Sequence, residues 1–154
     1  MRRASARACH NLDPYLMTPE RIGAVFAQQA VGADISLVEG NKGLYDGLAL
    51  DGTNSNAALA QLLDLPVLLV IDARGMTRGI APLILGYQAF DRRIRIGGVI
   101  LNRLGGSRHE AKLRAVKAAH KPRLTVVLPE DLCAAETSRR SMVKTWRTRS
   151  RPVA

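Results

Sequence analysis

Aromatic residues make up only 4% of this 154-residue chain, and cysteine occurs twice. So few rings exclude a core built on large aromatics; the interior has to be aliphatic and alanine-rich. Cys9 and Cys133 lie far apart, with no CxxC pair and no Cys/His metal spacing, so neither a disulfide framework nor a zinc site is supported. No apolar run approaches the ~20 residues of a membrane span; the longest lies around Pro66–Ile71. The start, MRRASARACHNLDP, is basic but lacks the apolar stretch of a secretory signal, so a cytoplasmic location is expected. There is no G-x-x-x-x-G-K-S/T phosphate loop, no Ser/His/Asp elbow motif and no internal repeat.

What is there suits one globular domain: 47% hydrophobic and 23% charged residues in a length that can bury a core. The net charge of +10 invites a nucleic-acid reading, but its distribution argues against one. Residues 1–10 carry +3 and residues 134–154 carry +5, leaving only +2 on residues 11–133. The excess sits on the ends. Residues 1–9 are read as a basic extension and residues 131–154 as a basic, poorly ordered tail without the aromatic-basic interleaving of a binding platform.

Four aliphatic, β-branched runs stand out: Ile35–Val38, Val67–Ile71, Val99–Leu101 and Leu124–Leu128. They do not alternate with polar residues, which predicts strands buried on both faces of a parallel sheet. Helical patterns separate them. Thr18-Pro19-Glu20 offers a cap and an N1 proline ahead of Ile22, Val25, Phe26 and Ala30. Asn54–Leu63 and Thr77–Phe90 carry apolar faces, and Ser107–His120 opens with Ser107 and Glu110 at capping-box spacing. The order α-β-α-β-α-β-α-β predicts an α/β fold: an open, mostly parallel sheet with helices on both faces.

In such sheets ligands gather at the carboxyl ends of the strands. Three of these ends deliver a polar residue: Glu39, Asp72 and Asn102. The expectation is that they meet in one magnesium-nucleotide pocket. The segment VEGNKGLYDG is the richest. Gly40, Gly43 and Gly47 permit tight turns and close backbone approach to a ligand. Glu39 and Asp46 bracket the loop, and paired carboxylates can hold Mg²⁺ or orient a nucleophile. Lys42 supplies a point charge for a phosphate or carboxylate. Gly52–Asn56 leads into a helix and reads equally as an anion site or as plain N-capping. Asp72-Ala73-Arg74-Gly75 is a second glycine-containing loop; its arginine suits phosphates or substrate carboxylates. Asn102-Arg103 could read a base edge, since a carboxamide both donates and accepts. His109 and His120 have no spaced partner and are read as surface or capping residues.

Together these segments resemble a known family. VEGNKGLYDG, NSNAALAQLLDLPVLLVIDARG, the GY-AFD pattern of GYQAFD, and IGGVILNRLGGSRHEAKLR are similar to the ATP-dependent synthetase domain of the cobyrinic acid a,c-diamide synthase family. NLDPYLM resembles the segment that follows the family's first substrate-binding region. The likeness spans residues 10–130 as a partial synthetase domain, and it implies the three-layer α/β/α fold of the dethiobiotin-synthetase-like branch of P-loop proteins. It further implies a glutamine-dependent amidotransferase that uses ATP and Mg²⁺ to amidate peripheral carboxylates of a tetrapyrrole in cobalamin biosynthesis. In that reading Glu39 stands near Mg²⁺ and the reacting groups, Asp46 handles substrate and amidation, and Asn102 meets the adenine. Gly40 and Gly43 approach the nucleotide, while Lys42, Tyr45 and Arg74 face the substrate.

The departures carry their own expectations. The family's phosphate loop and its glutaminase domain, the source of ammonia, are missing from this sequence. The chain therefore reads as an internal piece of a longer enzyme or as a gene remnant, incomplete at its N-terminus and inactive alone. Whether it stands alone or forms a homodimer stays open. Asn41-Lys42, with GMTRGIAPL downstream, resembles variants proposed to amidate sirohaem, so sirohaem or sirohydrochlorin is the alternative substrate. Two other readings stand beside it: a partitioning or regulatory P-loop ATPase, since Asp72–Gly75 fits D-x-x-G, and an inactive remnant with a basic binding tail.

Overall fold

The computed structural model describes residues 7–120 and 125–127. The basic tail at 131–154, Cys133 and the first six residues of the basic extension lie outside the described residues. The chain divides into two units, one formed by residues 1–66 with 93–95 and the other by residues 67–92 with 96–154.

The first unit holds two helices. Helix α1 spans Pro19–Ala30, with Thr18 as its N-cap; the Thr18 hydroxyl accepts the Arg21 N–H at 3.3 Å. Pro19 has no N–H to leave unsatisfied, and Glu20 places a carboxylate against the positive end of the helix. The Glu20 carboxyl is held below its ordinary value by its own backbone N–H and by Thr18. Ile22 is the residue α1 buries. Helix α2, Asn56–Leu62, is capped by the buried Ser55, whose hydroxyl accepts the Ala58 N–H at 3.1 Å. Beyond α2 the chain reverses through Asp64, which adopts φ 49°. Arg95 donates to both the Asp64 carbonyl, at 2.6 Å, and its carboxylate, at 2.8 Å.

Ile35–Val38 does not form a strand. No ladder pairs the run, and Ile35 and Leu37 are 68% and 73% exposed. An apolar run becomes a strand only where a neighbour accepts its backbone hydrogen bonds. The described residues of this unit supply no such neighbour.

The second unit is a parallel sheet in the order β1-β2-β3. Strand β1 is Val67–Asp72, β2 is Ile96–Asn102 and β3 is Thr125–Val127. Asp72 is the register partner of Asn102, so the two strands end level. Helix α3, Ile80–Phe90, joins β1 to β2, and helix α4, Ser107–His120, joins β2 to β3. The three strands are laid down in one direction. Right-handed crossovers therefore place both helices on the same face, and α3 and α4 do touch. Val99, Leu101 and Leu113 are almost fully buried, with Ile80 and Ile84 of α3 beside them in the core.

Burial differs between β1 and β2, the middle strand. In β1, Leu69 and Ile71 are buried, whereas Leu68 and Val70 stay 45% and 59% exposed. Successive side chains of a strand point to opposite faces of the sheet, so one face of β1 is covered and the other is not. The capping box predicted for α4 also differs. Ser107 is already inside the helix, and Glu110 does not reach back. Its carboxylate instead accepts from Arg114 Nε at 2.6 Å, an i,i+4 pair. No helix among the described residues is long and apolar enough to cross a membrane.

Candidate functional site

The predicted site residues fall into both units. Glu39, Gly40, Lys42, Gly43, Tyr45 and Asp46 belong to the first; Asp72, Arg74 and Asn102 belong to the second.

The glycine-rich loop of the first unit is tied to the start of α2. Asn56 donates its side-chain amide to the Lys42 carbonyl at 2.8 Å and to the Gly43 carbonyl at 3.3 Å. The Ala57 N–H donates to the Leu44 carbonyl at 2.8 Å, and Leu44 is buried. This anchoring explains the glycines sterically. A Cβ on Gly40 would lie 2.8 Å from Asn56 Nδ2, and one on Gly43 would fall on the Asp46 carboxylate. Gly43 thus clears the space that the Asp46 side chain occupies. Glu39, Lys42 and Asp46 are exposed, and Tyr45 is half-buried. The loop presents two carboxylates and one ammonium to solvent on a backbone pinned from beneath.

Gly52–Asn56 resolves as capping and loop closure. Asn54 Oδ1 accepts from the Leu48 and Ala49 N–H groups at 2.8 and 3.2 Å. Asp51 accepts from both the N–H and the hydroxyl of Thr53, which hold its carboxyl below the ordinary value. Ser55 caps the helix and Asn56 holds the glycine loop. Each of these side chains has a structural partner, Asn54 and Ser55 through their oxygens as acceptors.

In the second unit the strand ends bring Asp72 and Asn102 side by side. The Ala73 N–H donates to the Asn102 carbonyl at 2.9 Å. Arg74 wraps back onto Asp72: its Nε lies 3.1 and 3.0 Å from the two carboxylate oxygens, and one terminal nitrogen lies 2.7 Å from Oδ2. Arg103 approaches the same oxygen at 3.4 Å. The hydrogen bonds from Arg74 are the main reason the Asp72 carboxyl is held below its ordinary value, with the charges of Arg74 and Arg103 adding to them. As a substrate contact, Arg74 would have to exchange Asp72 for another anion. The Asn102 side-chain oxygen accepts the Arg103 N–H at 2.9 Å.

One residue of this unit is misjudged from sequence. His109 is half-buried and bridges the two strand-end loops: its Nδ1 accepts the Gly105 N–H at 2.9 Å, and its Nε2 meets the Met76 carbonyl. The capping half of the expectation holds; the contact with a loop 33 residues away does not follow from any spacing. Among the described residues no three His, Cys, Asp or Glu side chains form a metal cage. An open depression of about 420 Å³ lies at the start of α3, lined by Arg78, Gly79, Ala81, Pro82 and Leu85. None of the predicted site residues borders it.

The comparisons with known proteins follow this layout. The family profile described as AAA domain matches residues 10–137. The chain is 48% identical over 126 residues to the hydrogenobyrinate a,c-diamide synthase of Streptomyces coelicolor, a match covering 80% of this chain and 26% of that protein. It is 45% identical over 129 residues to the protein of the same name in Brucella anthropi, covering 83% of this chain and 29% of the other. The cobyrinate a,c-diamide synthase of Magnetococcus marinus is 43% identical over 111 residues, covering 72% and 24% respectively. The chain thus spans between 24% and 29% of the length of these curated relatives. No solved structure matches it. The parallel α/β architecture, the level strand ends and these matches agree: the chain belongs to the AAA-domain family of P-loop NTPase-like proteins, in the group that contains the hydrogenobyrinate and cobyrinate a,c-diamide synthases.

Proposed function

We propose that this chain is part of an ATP-dependent, glutamine-hydrolysing ligase that amidates peripheral carboxylates of a tetrapyrrole, of the hydrogenobyrinate or cobyrinate a,c-diamide type. The observation that carries the reading is the level pairing of Asp72 with Asn102 at the carboxyl ends of adjacent parallel strands, in a chain whose relatives bear those names. Strand ends of open α/β sheets are where nucleotides bind.

The chemistry follows from the substrate. A carboxylate is a poor electrophile because oxide would have to leave. Transfer of the terminal phosphoryl group of ATP to a carboxylate oxygen gives an acyl phosphate and ADP. Ammonia then attacks the acyl carbon, inorganic phosphate departs, and a proton is lost as the amide forms. Catalysis of this kind rests on positioning and on stabilising charge.

The residues present fit those needs. Mg²⁺ is ordinarily held by one or two carboxylates together with phosphate oxygens and waters, not by an all-protein cage. Exposed Glu39 suits that role. Bound there, the ion would offset phosphate charge during transfer. Asp46, held by the Gly43 turn, steadies the amine as positive charge develops on it. Asn102 offers its amide nitrogen to an acceptor on the adenine edge. Lys42 and Arg74 each offer a cation suited to a substrate carboxylate, Tyr45 offers its ring to the substrate, and Gly40 and Gly43 belong to the loop that would approach the nucleotide. Glutamine, hydrolysed in a separate domain, supplies the ammonia.

The test joins this chain to the remaining parts of the Streptomyces coelicolor relative, replacing the segment it matches. We expect Mg²⁺-dependent ATP binding, and glutamine-dependent formation of a diamide from hydrogenobyrinic acid. A folded chimera that binds no ATP would remove the reading.

A further inference from the structure

The imidazole of His109 links two loops that both begin at a candidate ligand residue. Its Nδ1 accepts the Gly105 N–H, so this nitrogen carries no hydrogen. Its Nε2 lies against a carbonyl, which can only accept, so the hydrogen sits on Nε2 and is donated to Met76. A single neutral tautomer satisfies both partners; a proton on Nδ1 would set two donors face to face. Gly105 belongs to the loop after β2, two residues beyond Arg103. Met76 closes the turn after β1, where its N–H donates to the Ala73 carbonyl at 3.0 Å and Gly75 takes φ 68°. That turn carries Arg74. A Cβ on Gly105 would meet His109 Nδ1 at 3.4 Å, so the ring lies directly on the second loop.

Two other bonds join these loops. The Ala73–Asn102 bond extends the β-ladder by one step and restrains only the roots of the loops. The Arg103–Asp72 pair is long and solvent-exposed, a geometry that holds side chains weakly. His109 is the part-buried tie further out, and it sits on α4, whose Leu113 is anchored in the core.

We propose that His109 is a positioning residue: through Met76 and Gly105 it sets the separation of the loops after β1 and β2, and so the presentation of Arg74 and the Asn102 carboxamide. Its effect on adenine recognition rests on the function proposed above; its effect on the loops does not.

The test uses the full chain and separates the two halves of the imidazole. Asparagine can place an oxygen near the Nδ1 position, and glutamine can place an amide N–H near Nε2. Amide hydrogen exchange is followed in residues 73–79 and 103–106. In His109→Ala both segments should exchange about five- to ten-fold faster, the effect of losing one hydrogen bond in each, while α1 and α2 keep their wild-type rates. His109→Gln should restore residues 73–79 alone, and His109→Asn residues 103–106 alone. Unchanged exchange of both segments in His109→Ala, or equal rescue by either amide, would overturn the proposal. If His109→Ala does not fold, nitrogen NMR of the wild-type imidazole decides. A slowly exchanging Nε2 hydrogen supports the tie, and a freely exchanging ring hydrogen overturns it. Adenosine is then added to the wild-type chain. Failure to shift the Asn102 side-chain signals, with the exchange pattern as expected, would count against the base-binding reading and leave the loop-positioning role standing.

Discussion

Asp72 and Asn102 are register partners at the last position of two adjacent parallel strands, and the chain leaving Asp72 donates its next N–H to the Asn102 carbonyl. Two polar side chains, 30 residues apart in sequence, are thereby held at one sheet edge by backbone geometry alone. The surroundings of Asp72 yield a first prediction.

Its carboxyl is held below the ordinary value of 3.8 by the hydrogen bonds and charge of Arg74. A depressed carboxyl stabilises the fold above its unfolded pKa and loses that contribution as pH falls through the folded value. Asp72→Asn should therefore be less stable than wild type at neutral pH, with the gap closing below about pH 4. Urea midpoints measured across pH 2.5–7 check this; a gap that widens on acidification would contradict it.

Gly43 and Gly79 should respond oppositely to alanine. The Asp46 carboxylate occupies the place of a Gly43 Cβ, whereas a Cβ on Gly79 meets nothing within 4 Å. Gly79 also has φ −60°, which any residue adopts. Gly43→Ala should lose about 1 kcal/mol or more through displacement of Asp46. Gly79→Ala should be neutral or gain up to about 1 kcal/mol by restricting the unfolded chain. Denaturation of the two variants side by side is the measurement.

Leu101 lies in the middle strand at 2% exposure. Leu101→Ala deletes three carbons from a packed site and should destabilise by about 2–4 kcal/mol. The exposed Leu50→Ala should change stability by less than about 0.5 kcal/mol. Similar losses in both would mean that β2 does not form the centre of the core.

Glu39 and Asp46 are exposed, so neutral amides there should leave the fold intact. In the chimera described above, Glu39→Gln and Asp46→Asn should each lower amidation by about 10²-fold or more, with unchanged circular dichroism. Full activity in both variants would place the chemistry elsewhere.

Local chemistry was readable wherever one segment decides its own conformation. Thr18-Pro19-Glu20 marks the start of α1 because cap, proline and acid act within one turn. Val67–Ile71 and Val99–Leu101 are legible as strands because continuous aliphatic runs demand burial, and their polar ends marked Asp72 and Asn102. Ile35–Val38 has the same appearance and forms no strand, since a run states an appetite for burial and leaves its neighbour unnamed. Glu110 misled for a related reason: capping-box spacing and i,i+4 pairing with Arg114 use the same carboxylate, and the observed helix start decides between them.

Composition and pattern by themselves thus determined the α/β class, the aliphatic interior and the polar residues that close β1 and β2. Periodicity and capping are properties of short stretches, and short stretches carry them unaided. Only the folded chain decided that Asp72 stands beside Asn102, that Asp46 fills the space above Gly43, and that His109 joins two loops. Those relations depend on strand register and on hydrogen bonds between segments distant in sequence, whose partners are chosen only when the backbone has closed.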